Sequence, residues 1–276
     1  MIVFPSVSVL IVNYNSGKYA INCIKSLMKQ LKVRLQIIVV DNASLDDSLL
    51  LLNEYQDVIT LIPNNQNVGF VQANNLAARY ATGDYLLILN PDTEMEDSLC
   101  IFNLVNALNS KDCIGLVAPL INEPSKAKIV RPKYRYPSES RLRSKHAFYG
   151  LPGKIAWVLG ACMLMKTSVY KKIEGFDPDY FLYGEDIDIC LRIRKHGLEI
   201  YYDDHIQVNH ISGASEIGAK NLDKWLRKRR GLFLFYKKHY EINDLVRICN
   251  QEILKCTIYK LIYSFTFLIG SKNYRS

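Results

Sequence analysis

The chain has 276 residues, of which 49% are hydrophobic and 22% are charged, and its formal net charge is +8. This length fits one large domain, or one domain with an appendage, and it is enough to bury a core. The composition excludes collagen-like, coiled-coil and wholly disordered proteins.

Strand-type and helix-type patterns alternate through the first 120 residues or so. Short apolar runs predict strands over residues 7–12, 33–40, 58–62, 85–89 and 115–121. Apolar residues at helical spacing predict helices over residues 20–31, 70–80 and 97–108. A further helix is predicted to begin after Ser44, which would be its N-cap. This alternation predicts a Rossmann-like, mostly parallel sheet with helices on both faces.

Polar residues follow four of these strands directly. Because ligands of open parallel sheets bind at the carboxyl ends of the strands, these residues should share one edge. The clusters are Asn13-Tyr14-Asn15, Asp41-Asn42, Asn64-Asn65 and Asn90-Pro91-Asp92.

The remaining chain differs in pattern and charge. Residues 122–155 contain four prolines and nine Lys or Arg against two acids, which predicts a long irregular loop. This loop is either solvated or covers a phosphorylated acceptor. Residues 157–216 have a mixed pattern, and 220–247 hold nine Lys or Arg against three acids. We predict a catalytic domain over 1–219, with halves 1–121 and 122–219, and a helical extension over 220–276.

Cysteine usage and apolar run lengths bear on location. The seven cysteines are odd in number and form no CxxC motif, which is typical of reduced thiols in a cytosolic protein. No uninterrupted apolar run of 18 residues occurs, and no signal peptide opens the chain, so a cytoplasmic location is expected.

Two carboxylates at strand ends have both a chemical and a structural interpretation. Asp41 could accept from a nucleotide base or ribose, or belong to a helix-capping turn. The glycine-rich dinucleotide fingerprint is absent after the first strand. Asp92 could hold Mg²⁺ or Mn²⁺ against a diphosphate, although Asn-Pro-Asp also favours a plain turn.

Two further candidates lie in the second half. Glu185, Asp186 and Asp188 place three carboxylates within four residues, where one could serve as a general base and the others as helix-dipole partners. His210 follows a strand and is either structural or, if it faces Asp92, part of a metal site.

Taken together, these segments resemble inverting family-2 glycosyltransferases with the GT-A fold, and among them the rhamnosyltransferase-like enzymes. The resemblance covers about residues 5–240. It is carried by the strings VSVLIVNYN, IIVVDNASLDDS, NNQNVGFVQANN, GDYLLILNPDTE, WVLGACMLMKTSVYKKIEGFDPDYFLYGEDIDICLRIRKHG and VNHISGAS.

The resemblance implies a role for each candidate residue. Asp186 would be the catalytic base, with Glu185 orienting it or the acceptor. Asp92 and His210 would be metal ligands, and Asn90 replaces the first carboxylate of the family's DxD motif. The acceptor side would include Trp157, Gly160, Ala161 and Glu185, and the nucleotide-sugar side would include Asn13, Tyr14, Asn15, Asp41, Asn42, Asn67, Gly69, Asn74, Asn90 and Asp92.

The implied activity is metal-dependent sugar transfer, with inversion, from a nucleoside-diphosphate sugar to a hydroxyl. By analogy with this subgroup the expected donor is dTDP-rhamnose, and UDP-sugars stay open. The expected acceptor is a glycan or a lipid-linked saccharide, and the expected pathway is bacterial surface-polysaccharide synthesis. A catalytically inactive sugar-nucleotide-binding protein is the main alternative, although Asp92 and Asp186 are both present. A nucleotidyltransferase is less favoured because its glycine-rich basic signature is missing.

The basic, amphipathic C-terminal extension indicates which partners the protein could bind. Cations surround the apolar run near Phe233, and an apolar segment from Ile253 to Ile269 is interrupted by two lysines. This pattern predicts a helix lying on an anionic membrane surface at the inner face, or one packed on protein. A homo-oligomer stays open, and no nucleic-acid recognition motif is present.

Overall fold

The computed structural model describes residues 3–142, 148–211 and 221–254. The strands are β1 (Ser6–Asn13), β2 (Arg34–Asp41), β3 (Ile59–Pro63), β4 (Tyr85–Leu89), β5 (Thr93–Glu94), β6 (Ile114–Glu123), β7 (Lys128–Val130), β8 (Cys162–Lys166) and β9 (Glu199–His210). The helices are α1 (Gly17–Leu27), α2 (Ser48–Asn53), α3 (Gly69–Arg79), α4 (Cys100–Asn109), α5 (Thr167–Lys172), α6 (Glu185–Lys195) and α7 (Asn221–His239), and residues 242–254 are also helical.

The strands form one sheet in the order β3-β2-β1-β4-β8-β6-β9-β5, with β7 paired to β6. Strands β3, β2, β1 and β4 run parallel to one another. Strand β8 is antiparallel to its neighbours β4 and β6, and β6 pairs in parallel with β9. The prediction of a mostly parallel sheet is confirmed, and the carboxyl ends of β1 to β4 meet at one edge.

Helix α1 shows how local pattern and tertiary packing combine. Its predicted apolar face is buried from Ala20 to Leu27, against a β1 strand that is buried from Val7 onward. The helix ends at Leu27, however, so Met28 and Leu31 are 55% and 57% exposed. The chain leaves the helix there because the Leu31 N–H donates to the Ser98 carbonyl and Lys32 takes a left-handed φ of 59°.

The start of the predicted 122–155 loop is ordered as a hairpin. Strand β6 continues to Glu123, a short 3₁₀ turn covers Pro124–Lys126, and β7 returns antiparallel. A strand of only three residues carries no usable hydrophobic period, so the sequence pattern could not reveal it.

The chain divides into two compact units. One contains Met1–Tyr136 and Gly150–Leu234, and the other contains Pro137–Tyr149 and Phe235–Ser276. In the second unit the Ser138 and Tyr236 hydroxyls lie 2.8 Å apart, and Arg141 pairs with Glu252 at 2.7 Å. The predicted domain boundary at residues 219 and 220 lies outside the described residues, as does the apolar segment beyond residue 254.

Within the described residues, no helix is both long and apolar enough to cross a bilayer. The cysteines in that part of the chain are free thiols.

Candidate active site

Asn13 and Asp41 end β1 and β2 and are paired in the sheet register. The Asn13 amide donates to Asp41 Oδ1 at 2.8 Å, and both residues are buried. The Ser44 hydroxyl donates to the same oxygen at 2.6 Å, and the Ser44 N–H donates to Oδ2. Ser44 is therefore not a helix N-cap: α2 begins at Ser48, and the Ser44 side chain orients the Asp41 carboxylate instead.

The loops after β1 and β2 are joined by Asn15. Its backbone has a left-handed φ of 50°, its N–H donates to Ser44 Oγ at 3.0 Å, and its Oδ1 accepts from the Leu45 N–H at 2.7 Å. Tyr14 precedes it and is partly exposed, so its ring is accessible at this edge.

Asn42 is the centre of a second polar network. Its Nδ2 donates to Asn67 Oδ1 at 2.9 Å and to the Gly69 carbonyl at 3.3 Å. Its Oδ1 accepts from Asn64 Nδ2 at 3.1 Å, so Asn64, from the predicted cluster after β3, belongs to the same network. Asn74 lies further along α3, fully buried, and donates to the Phe70 carbonyl at 2.9 Å.

His210 faces Asp92, which was the condition for its interpretation as more than a structural histidine. Its Nε2 lies 3.2 Å from Asp92 Oδ1 and 3.3 Å from Asn90 Nδ2. Asp92 and His210 are 5% and 6% exposed. Strands β5 and β9 bring them together, because Thr93 and His210 pair in register.

The donor set at this position fits a divalent cation. A carboxylate oxygen and an imidazole nitrogen are both ligands that Mn²⁺ accepts, and a bound diphosphate would supply further oxygens. Within residues 3–142, 148–211 and 221–254, no three His, Cys, Asp or Glu side chains converge as a metal cluster. Asp92 Oδ1 and His210 Nε2 are the two donor atoms that lie together at this position.

A left-handed turn precedes the acidic cluster and begins α6. Tyr183 and Gly184 have φ values of 71° and 90°, and Glu185 is the first residue of the helix. Burial, and to a smaller extent the neighbouring Asp186 carboxylate, raises the pKa of Glu185 to about 8. Glu185 Oε2 has no hydrogen-bond partner among the described residues.

Asp186 and Asp188 have different surroundings. Burial raises the pKa of Asp186 to about 6, while the backbone N–H groups of Ile187 and Gly160 donate to its carboxylate and oppose the shift. Asp188 accepts from Arg192 Nε at 2.7 Å and is 1% exposed. Asp188 is therefore held in a buried ion pair, whereas Asp186 is partly exposed.

Gly160 and Ala161 connect Asp186 with the Asn90–Asp92 turn. A Cβ on Gly160 would lie 3.4 Å from Asp186 Cβ. The next residue, Ala161, accepts through its carbonyl from the Asn90 N–H at 2.9 Å. Trp157, the other predicted acceptor-side residue, pairs with Lys133 and donates through Nε1 to the Arg135 carbonyl at 3.3 Å.

Glu123 was missed by sequence reasoning. It ends β6, is 5% exposed, and its Oε1 lies 3.5 Å from His210 Nδ1. A single glutamate at the start of a proline-rich stretch has no local signal, because its position depends on the pairing of β6 with β9.

A sequence profile described as glycosyl transferase family 2 matches residues 8–174, which is more than half of the chain. The chain belongs to glycosyl transferase family 2. A second profile, described as the N-terminal domain of galactosyltransferase, matches residues 140–213.

Two curated relatives of this family-2 chain are rhamnosyltransferases. The rhamnosyltransferase WbbL of Escherichia coli K12 is 29% identical over 221 residues, covering 71% of this chain and 80% of the relative. The N-acetylglucosaminyl-diphospho-decaprenol L-rhamnosyltransferase of Mycobacterium tuberculosis is 24% identical over 232 residues, covering 73% and 75%. The rhamnosyltransferase-like resemblance is confirmed.

The fold matches solved glycosyltransferases. The mannosyltransferase PcManGT of Pyrobaculum calidifontis, solved with GDP-Man and Mn²⁺, superimposes with a TM-score of 0.62 at 19% identity. The match covers 86% of this chain and 64% of the mannosyltransferase chain, which is less than two thirds of its length. The predicted GT-A fold is confirmed.

Proposed function

We propose that this chain transfers a sugar from a nucleoside-diphosphate sugar to a hydroxyl group, with inversion at the anomeric carbon. The observation that carries this proposal is the link through residues 160–161. Gly160 lies against Asp186, and Ala161 accepts from the Asn90 backbone beside Asp92 and His210. A proton acceptor and a site for the leaving diphosphate are thus joined by two consecutive residues.

Asp186 takes the proton of the attacking hydroxyl. Its pKa of about 6 leaves it ionised at neutral pH and makes it a stronger base than an ordinary aspartate. Glu185, with a pKa of about 8, stays protonated at the same pH, so it orients its neighbour or the acceptor. One displacement inverts the sugar, and no covalent nucleophile is required.

Asp92 and His210 would hold a divalent cation, Mg²⁺ or Mn²⁺, beside the donor diphosphate. When bound, this cation offsets the negative charge that develops on the leaving group. The mannosyltransferase of the same fold was solved with Mn²⁺ and a nucleotide sugar, which supports the assignment.

The donor nucleotide binds along the ends of β1, β2 and β3. Asp41 accepts from the base, Tyr14 packs on its ring, and Asn13, Asn15 and Asn42 keep this edge in place. Asn67, Gly69 and Asn74 belong to the sugar-nucleotide side. Because both named relatives are rhamnosyltransferases, dTDP-rhamnose is the donor we propose.

A lipid-linked saccharide is the acceptor we propose, in bacterial surface-polysaccharide synthesis. One relative is named for a diphospho-decaprenol acceptor. In this chain Lys133 pairs with Trp157 through the backbone and the Arg135 carbonyl accepts from Trp157 Nε1, so two basic residues adjoin a predicted acceptor-side residue. These cations would meet the acceptor diphosphate.

The membrane location that we propose follows from α7. Leu222, Trp225 and Phe233 are exposed on this helix by 64%, 47% and 48%, among exposed cations such as Arg230. A helix of this kind would lie on the anionic inner face of the membrane, where a lipid-linked acceptor resides. Full-length protein should bind anionic vesicles at low salt, and Arg230→Glu should weaken this binding. Binding that is equal for anionic and neutral vesicles would contradict the location.

A screen of nucleotide sugars for protection against thermal unfolding tests the activity class. A cognate donor at 100 times its dissociation constant should add about 2.7 kcal/mol to the free energy of unfolding. We expect dTDP-rhamnose to protect in Mn²⁺ more than in EDTA, and Asp92→Ala to remove that difference. Protection by no nucleotide sugar would contradict the proposal.

A further inference from the structure

Three side chains spaced four residues apart on α6 form a line of contacts with residues 151–160. In order along the helix, the contacts are Asp186 with Gly160, Cys190 with the Val158 backbone, and Arg194 with residues 151–153. Side chains at this spacing share one face of a helix. The segment therefore runs antiparallel to α6, and its last residue lies beside the Asp186 carboxylate.

The Arg194 guanidinium forms the far end of this line and is 7% exposed. Its Nε donates to the Pro152 carbonyl at 2.9 Å. Its Nη2 donates to the Leu151 and Gly153 carbonyls at 3.3 Å and 3.0 Å. Its Nη1 donates to the Tyr136 hydroxyl at 3.1 Å, and the centroid of that ring lies 5.7 Å from Cζ. One side chain thus holds three successive carbonyls and a phenol.

The two stretches of chain that Arg194 joins also pair with each other. The Lys133 N–H donates to the Trp157 carbonyl at 2.9 Å, and the Lys133 carbonyl accepts from the Trp157 N–H at 3.2 Å. This pairing is antiparallel, so Tyr136 and residues 151–153 lie at its other end. Arg194 therefore fixes the second end of a pair of segments that carries Lys133 and Trp157.

A buried guanidinium is a costly way to order a loop, because its charge is removed from water. An apolar side chain of similar volume would fill the same space, but it would not select one register of the segment. The planar fork of a guanidinium has donors in fixed directions, and it does select one. The register of residues 151–160 decides where Trp157 stands relative to Asp186.

We propose that Arg194 is a positioning residue for the acceptor, because it fixes the register of residues 151–160 on α6 and thereby the place of Trp157 relative to Asp186. The proposal rests on the proposed function, in which Asp186 is the base and Trp157 belongs to the acceptor side. Arg194 acts through the segment, since it lies about 12 Å along the helix axis from Asp186. The donor groups at the ends of β1 and β2 are held by other contacts. Loss of Arg194 should therefore weaken use of the acceptor and leave donor binding unchanged.

Arg194→Lys keeps the charge and removes the fork, and Arg79→Lys, at an exposed position at the end of α3, is the matched control. The acceptor probe is N-acetylglucosaminyl-diphospho-decaprenol, the lipid in the name of one relative. A displacement of about 1 Å at a reacting group can lower the rate by about 10²-fold. We expect a loss of that order in kcat/KM for this acceptor in Arg194→Lys, with a parental Kd for dTDP in Mn²⁺. Both quantities should be parental in Arg79→Lys. Equal losses in acceptor use and dTDP affinity would overturn the proposal.

A second measurement requires no acceptor. Hydrogen–deuterium exchange, read by mass spectrometry, should become faster in residues 131–136 and 151–157 of Arg194→Lys, while β1 and β2 keep the parental exchange. Tyr136→Phe removes one partner of the guanidinium and keeps the ring, so it should have the same effect to a smaller extent, and it replaces Arg194→Lys if that variant does not fold. Unchanged exchange in both segments would overturn the proposal. If the parent transferred no sugar to the probe, the acceptor assignment of the proposed function would fail, and the exchange measurement would still decide the role of Arg194.

Discussion

At the ends of β1 and β2, polar side chains hold one another, whereas the turn before α6 is held by backbone packing. Asn13, Asp41 and Asn42 are each bonded to neighbouring loops through amide or carboxylate groups. The Tyr183–Gly184 turn has left-handed backbone angles, and a Cβ on Gly231 of α7 would lie 1.9 Å from the Tyr183 carbonyl oxygen.

The two regions also differ in electrostatic balance. Donors surround the Asp41 carboxylate, while burial raises the pKa of both Glu185 and Asp186. The strand ends therefore hold preorganised polar groups, as the proposed donor site requires, and the turn keeps buried acids whose proton affinity is increased. Substitutions in the first region should change donor affinity, and substitutions in the second should change turnover.

The largest effect is expected for Asp186→Asn. The amide keeps the shape of the side chain but cannot take a proton, and loss of a general base typically lowers turnover by about 10²- to 10⁴-fold. Donor affinity, measured by titration calorimetry, should stay at the parental value. The exposed Asp57→Asn is the control. Near-parental turnover in Asp186→Asn would exclude it as the base.

Gly231→Ala should displace the Tyr183–Gly184 turn, which Gly231 contacts from α7. Its new Cβ would overlap the Tyr183 carbonyl, so the turn and the carboxylates after it must shift. A displacement of about 1 Å at a catalytic group can lower turnover by about 10²-fold. We expect that reduction in kcat with an unchanged donor Kd, and parental kinetics in Asp223→Ala, an exposed position on the same helix. An equal loss of donor affinity would show that the two regions are not separable.

The strand-end region could be predicted from the sequence because alternating strands and helices indicate a parallel sheet. The convergence of Asn13, Asp41 and Asn90 at one edge was predicted on that basis, and the structure confirms it. Glu123 and Gly231 could not be predicted in the same way. Each depends on a contact between segments far apart in the chain, and neither leaves a periodic pattern around it.

Asp41→Ala should affect binding and leave chemistry intact. It removes one acceptor of the buried Asn13 amide, which keeps Ser44 Oγ, and it removes the proposed contact with the base. A hydrogen bond to a charged group contributes about 1.5 to 3 kcal/mol, so loss of the contact with the base should lower affinity for dTDP roughly 10- to 100-fold. Turnover at saturating donor should stay near the parental value. Asp46→Ala, on the adjacent exposed turn, is the control, and a change confined to acceptor affinity would mean that the site is placed wrongly.

The smallest effect, and the one that isolates the cost of the buried acids, is the pH dependence of stability in Glu185→Gln. The folded state raises the pKa of Glu185 to about 8, so folding favours its neutral form. This preference leaves stability unaffected below the ordinary glutamate pKa and lowers it progressively as pH rises towards 8. A neutral glutamine avoids that loss. Its melting temperature should therefore match the parent at pH 4 and exceed it by a few degrees at pH 8, since 1 kcal/mol corresponds to about 2–4 °C in a protein of this size. Glu139→Gln, in the second compact unit, makes the same change elsewhere and controls for net charge. A gain that is equal at both pH values would show that the substitution acts through packing, and that the Glu185 carboxyl does not carry the raised pKa.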